Sequence, residues 1–364
     1  MRKETPSPSP RLVVTLLPLC LALMASAFLV FSCRQDKQDA LEPREAVLQQ
    51  DLSQPQITRI VVSMVQVEEE WFRRAEAWAW ETKKQLEEKN VYLSVELEIS
   101  KSAKEQNMLL QGVTQQRDVN AVVVLATGNQ ARLQELCTEL SRQGVLVTAV
   151  GSNIVYPHNP DIVVSGDNAV IGLESAKSIV NALGGEATAS GRILALTDPE
   201  DSALRIRLMN FQDNLRFYPG LKLDVVNYRT EASNPKEAMR RILERENVQY
   251  DAVWTGWDGI LVPVLQACRE SGVKGIRHFS GAGGFPLVAK WITEQQDGES
   301  FSDFTYPPRI LQVAILATER KLRQRQNGET SPTAKEPPEI ILLPTEILTP
   351  DNAGNFLSEK SETF

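Results

Sequence analysis

NAVVVLATGNQARLQELCTELSRQGVLVTAV, residues 120–150, carries the pattern that decides the fold. Its first run, NAVVVLAT (120–127), is apolar at successive rather than alternate positions, which suits a strand covered on both faces. In the next stretch Leu133, Leu136, Cys137 and Leu140 recur at helical spacing and form one apolar face. Gly144 then stops the helix, and VLVTAV (145–150) is apolar throughout again. A doubly covered strand, an amphipathic helix and a second doubly covered strand make one unit of a parallel sheet layered with helices on both sides.

The same alternation runs outward in both directions. ITRIVVSMV (57–65), DIVVSG (161–166), RILALT (192–197), DAVWTG (251–256) and EIILLP (339–344) are all apolar strand patterns with helical stretches between them. Units of ~30 residues recur often enough for two sheets of five to six strands. The 364 residues exceed the ~100–200 that one core holds, so an α/β chain of two doubly wound lobes is expected. Asn234-Pro235 reads as a helix start, and Asp258 as a cap on GILVPVLQACRES. The polar stretches 326–338 and 351–364 read as a linker and a tail.

Composition excludes several functions. The net charge is −8 and no basic stripe stands out, so no nucleic-acid partner is expected. The two histidines, His158 and His278, read as surface or loop residues, too few for a His-based zinc site and in no catalytic motif. Cys137 and Cys268 fall in helices of different lobes and are expected as free thiols. There is no GxSxG elbow, no GxGxxG after the first strand, no phosphate loop and no HExxH. The glycine-rich SGAGG (280–284) lies late and lacks a lysine. An enzyme is therefore not expected, and neither a cofactor nor a metal.

The amino terminus reads as an export signal. Arg2, Lys3 and Arg11 precede an uncharged run from Leu12 to Ser32. Cleavage after Ala27, lipidation of Cys33 in Val30-Phe31-Ser32-Cys33, or retention as an anchor all fit, since a span needs ~20 apolar residues. Lipidation at Cys33 is preferred because the apolar run continues past Ala27 and stops there. Arg34 to Gln56 is polar and reads as a flexible tether. Each outcome places the globular part outside the cytoplasm, in the periplasm or cell envelope and, for two of the three, fixed to the membrane.

Five segments together resemble the sugar-binding branch of the periplasmic type I binding proteins, the ribose and galactose type. They are VVSMVQVEEEWF (61–72), VVSGDNAVIGLESAKSI (163–179), SALRIRLMNF (202–211), YDAVWTGWDGILVPVLQA (250–267) and EIILLPTEILTPDNAGNFL (339–357). The resemblance implies a first lobe of 57–167 plus 306–335 and a second of 168–305 plus 336–350, joined by a three-segment hinge. Ligands of open parallel sheets sit beyond the strand carboxyl ends, so facing sheets make a cleft that closes on a small solute. The candidate ligand-binding residues are then Trp71 and Phe72 against Trp257 as a sandwich for a sugar ring, Arg207 for paired oxygens, Asp258, and more weakly Thr127 and Ser152. The family's usual carboxylates are missing where this chain has Gly151-Ser152 and Gly283. A modified sugar, a more apolar solute and a site that has lost affinity stay open. The expected role is the binding subunit of an ABC importer with a membrane permease as partner. The alternative is a ligand sensor docking on a receptor histidine kinase.

Overall fold

The computed structural model describes residues 57–67, 69–126, 131–151, 160–245, 249–294, 299–329 and 337–357. The export segment with Cys33, the tether, Thr127, Ser152 and His158 lie outside them. From the amino end the elements are β1 (Thr58–Val65), α1 (Glu70–Lys89), β2 (Leu93–Ser100), α2 (Ala103–Val113), β3 (Ala121–Leu125), α3 (Ala131–Arg142), β4 (Leu146–Val150) and β5 (Ile162–Gly166). Next come α4 (Asn168–Ala182), β6 (Gly191–Thr197), α5 (Ser202–Leu215), β7 (Leu221–Asn227), α6 (Tyr228–Glu231) and α7 (Pro235–Leu243). They are followed by β8 (Ala252–Trp254), α8 (Asp258–Glu270), β9 (His278–Ser280), α9 (Pro286–Glu294) and β10 (Ser300–Phe304). The chain closes with α10 (Ile310–Gln326), β11 (Glu339–Leu343), β12 (Ile347–Leu348) and a 3-10 turn at Ala353–Phe356.

Two six-stranded sheets result, in the orders β2-β1-β3-β4-β5-β11 and β7-β6-β8-β9-β10-β12. All pairings are parallel except β10 with β12. This is the doubly wound α/β architecture read from the apolar runs. In β1, Ile60, Val62 and Met64 face the core under α1 and α10, while Val61 faces the opposite core under α2 and α3. β3 and β4 are buried at every position, which is why their sequences do not alternate. The described residues form one compact unit, and among them no helix is long and apolar enough to cross a membrane.

Four expectations change. Glu339–Leu343, assigned to the second lobe, pairs in parallel with β5 of the first sheet, and only Ile347–Leu348 joins the second. The carboxyl-terminal stretch is not simply a tail, because Ala353 and Phe356 are buried in the second core. His278 is no surface residue. It lies buried in β9 with its ring nitrogens 2.7 Å from Ser300 Oγ and 3.0 Å from Ser302 Oγ, and burial pulls it down to about 4, so it is neutral at pH 7. Finally, Asp258 does not cap α8: Trp257 holds that position and Asp258 is the first helical residue. Cys137 and Cys268 are both free and buried, and burial pushes each thiol up to about 12.

Candidate functional site

The carboxyl ends of β1, β3 and β4 face those of β6 and β8 across a cavity of about 400 Å³. The described residues contributed by the first sheet's loops include Glu69, Trp71, Phe72, Ala126 and Gly151. From the second come Asp198, Asp201, Arg207, Tyr228, Arg229 and Trp257, and Tyr306 closes the cavity where the chain crosses between the sheets.

Arg207 is the centre of the polar wall. It projects from α5 and is 1% exposed. Its Nε donates to Asn168 Oδ1 at 2.8 Å and its Nη1 to the Gly256 carbonyl at 2.5 Å. The guanidinium stands 4.8 Å from the Tyr306 ring centre and 5.7 Å from that of Trp257. Burial pulls the guanidinium below its ordinary value, while Tyr306, Asp201, Asp258 and Asp303 hold it up. The segment 163–179 explains how this arginine is held. Asp167 Oδ1 accepts from Val170 N and starts α4, Asn168 supplies the acceptor, and Gly172 lets α5 pass directly over α4.

Trp257 reaches across to the first lobe, its indole Nε1 donating to Glu69 Oε2 at 2.9 Å. Burial pushes the Glu69 carboxyl up, and this bond offsets part of the shift. A Cβ on Gly259 would lie 2.6 Å from Trp257 Nε1 and 2.7 Å from Glu69 Oε1, so a side chain there would push against the Trp257–Glu69 contact between the lobes. On the rim, Arg229 Nε donates to Asp198 Oδ2 at 2.5 Å, and its guanidinium lies 5.0 Å from the Tyr228 ring centre.

The residues expected at the ligand divide accordingly. Arg207, Trp257, Phe72 and Trp71 are brought together on the cavity. Trp71 and Trp257, however, do not form a sandwich. Their rings meet edge to face at 5.9 Å, which leaves no slot for a sugar ring, and Trp71 is buried with its Nε1 on the Tyr306 carbonyl. Asp258 turns away into the second lobe, wholly buried, its Oδ2 accepting from Phe285 N at 2.9 Å. Its partner is Asp303, whose carboxylate accepts from Gly284 N and Phe304 N. Burial and mutual repulsion push Asp303 well above the usual carboxylate range, and burial above all pushes Asp258 up to about 7.

That pair sets a pH dependence. Both groups are raised above their unfolded values near ~4, so their contribution to stability is complete below that; the share of Asp258 is lost as the pH rises through about 7, and that of Asp303 as the pH rises through its own raised value. Urea midpoints followed from pH 5 to 8 are expected to fall, and Asp303→Asn to flatten the fall by roughly 2 kcal/mol. An equally steep profile in the variant would assign the dependence elsewhere.

Glu69, Tyr306, Tyr228 and Arg229 were not singled out from sequence. Nor were Asp198, which pairs with Arg229, and Asp201, whose Oδ1 caps α5. Among the described residues no cluster of three His, Cys, Asp or Glu could hold a metal ion.

No curated protein matches the chain. Among solved structures, an ABC transporter solute-binding protein from Mycobacterium smegmatis with bound glycerol is similar, at a TM-score of 0.68 and 16% identity over 84% of this chain and 98% of the other. The binding component of the arabinose ABC transporter of Shewanella sp. ANA-3, bound to arabinofuranose, gives 0.67 at 17% identity over 84% and 96%. The fructose-binding periplasmic domain of a hybrid two-component system gives 0.66 at 19% identity over 82% and 93%. These likenesses establish the fold. The family model described as periplasmic binding protein domain matches residues 60–322, and the chain belongs to that family.

Proposed function

We propose that this chain is an exported solute-binding protein that closes two lobes on a sugar or sugar-like solute and hands it to the permease of an ABC importer. The observation that carries the reading is the cavity between the sheets, where a buried guanidinium and carboxylates from separate elements converge beside aromatic rings. Such groups pair with hydroxyls, the guanidinium donating and the carboxylates accepting. Attachment through Cys33 or an uncut anchor would keep the protein at the cell envelope. A second reading, a ligand sensor for a receptor kinase, draws on the similar fold of a two-component system's fructose-binding domain.

The test is a thermal-shift panel of sugars, polyols and nucleosides on the segment from Asp51 onward. A ligand at ~100-fold its Kd stabilises the folded state by about 2.7 kcal/mol and raises the melting temperature by several degrees. No shift with any member would count against the reading. With the ligand found, Trp257→Ala is expected to weaken it about 10-fold or more, and unchanged affinity in a folded variant would remove Trp257 from the site.

A further inference from the structure

The two described walls of the cavity differ in chemistry. The first lobe contributes chiefly Val67, Phe72, Leu125, Ala126 and Val150, whereas the second, besides apolar residues such as Leu204, Pro235 and Ile260, carries Asp198, Asp201, Arg207, Tyr228 and Arg229. Glu69 is the one charged first-lobe side chain among the described lining residues, and Trp257 already occupies one of its oxygens. On the second-lobe wall, Arg207 keeps Nη2 and Asp201 keeps Oδ2 without a hydrogen-bond partner among the described residues. Hydroxyl groups find partners on that wall. Set against Val67, Leu125 or Val150, a hydroxyl would lose its water and gain nothing, whereas a hydrocarbon group gains from burial there.

Resting on the reading that this cavity takes a small solute, we propose that the solute is amphipathic. Its hydroxyl-bearing half lies against the second lobe, and an alkyl or aryl substituent lies against the first. The chemical class is a glycoside with an apolar aglycone rather than a free, fully hydroxylated sugar. Each half then meets a matching wall. Closure brings both walls onto one molecule, so neither half alone uses the whole cavity.

The experiment is calorimetric titration of the same segment with matched pairs: each free sugar, its methyl glycoside and its phenyl glycoside. Aryl burial at ~25 cal/mol per Å², discounted for the cost of ordering the ligand, predicts that the phenyl glycoside of at least one sugar binds about 10-fold or more tightly than its parent. Phe72→Ala is expected to narrow the phenyl-to-methyl ratio, and Phe72→Leu to restore part of it. Because the readout is a ratio within one variant, a general loss of affinity does not imitate it. Free sugars binding as tightly as their phenyl glycosides would overturn the amphipathic assignment and leave sugar binding standing. Silence with every sugar and every glycoside would overturn both.

Discussion

Arg207→Met is expected to weaken solute binding by ~30-fold or more and to lower stability by about 2 kcal/mol. Methionine fills much of the same volume but donates no hydrogen bond. Asn168 Oδ1 and the Gly256 carbonyl then lose their donor in a buried site, at about 1–3 kcal/mol each. The ring contacts with Tyr306 and Trp257 lose their charge as well. Against this, the cost of burying an ion disappears, which holds the net change to the smaller figure. Affinity falls further than stability because a charge-assisted bond to solute, worth about 1.5–3 kcal/mol, has no replacement. Lysine does not rescue the site, since a point charge cannot reach two acceptors and the solute at once. Urea unfolding and calorimetry read the two effects separately. Wild-type affinity in the variant would remove Arg207 from the solute.

Gly172→Ala should have the largest effect on stability, about 2–4 kcal/mol, without altering any group that faces the cavity. An added Cβ would lie 2.2 Å from the Arg207 carbonyl oxygen and 3.0 Å from Asn210 Cβ. The nearest atom is backbone, so no rotamer change relieves the overlap and α4 must move away from α5. Asn168 travels with α4, which pulls its oxygen off Arg207 Nε. A loss of affinity of ~10-fold should therefore accompany the loss of stability, even though residue 172 itself touches no solute. Stability within ~0.5 kcal/mol of wild type would mean that the helices have slack at this crossing.

The central strands were legible in the sequence because burial on both faces leaves them uniformly apolar. β2 and β7 were not, because they are edge strands whose alternate residues, such as Glu96, Glu98, Lys222 and Asp224, sit nearer solvent. β9 and β10 were hidden for a different reason. Their polar residues, His278, Ser300, Ser302 and Asp303, satisfy one another or nearby backbone inside the fold, and nothing local to HFS or SFSDF reveals that. At the site, Arg207 and Trp257 were readable from their segments and from a place at a strand end. Glu69 was lost in the run Glu68-Glu69-Glu70, which has the look of a solvated helix start. Asp258 was misjudged because a carboxylate at a helix start suggests a cap or a ligand. Its true partner, Asp303, is remote in sequence and becomes a neighbour only when β10 joins the sheet.

The division of the closing strands between the two sheets bears on how the protein is made. β11 adds the last parallel strand to the first sheet, and β12 adds the antiparallel edge of the second. Neither sheet has its full set of strands until residues 339–348 have left the ribosome. A nascent chain therefore finishes both lobes together and late, rather than one lobe while the other is still being synthesised. Should the chain cross a membrane unfolded, as the proposed export requires, that order leaves neither sheet complete beforehand.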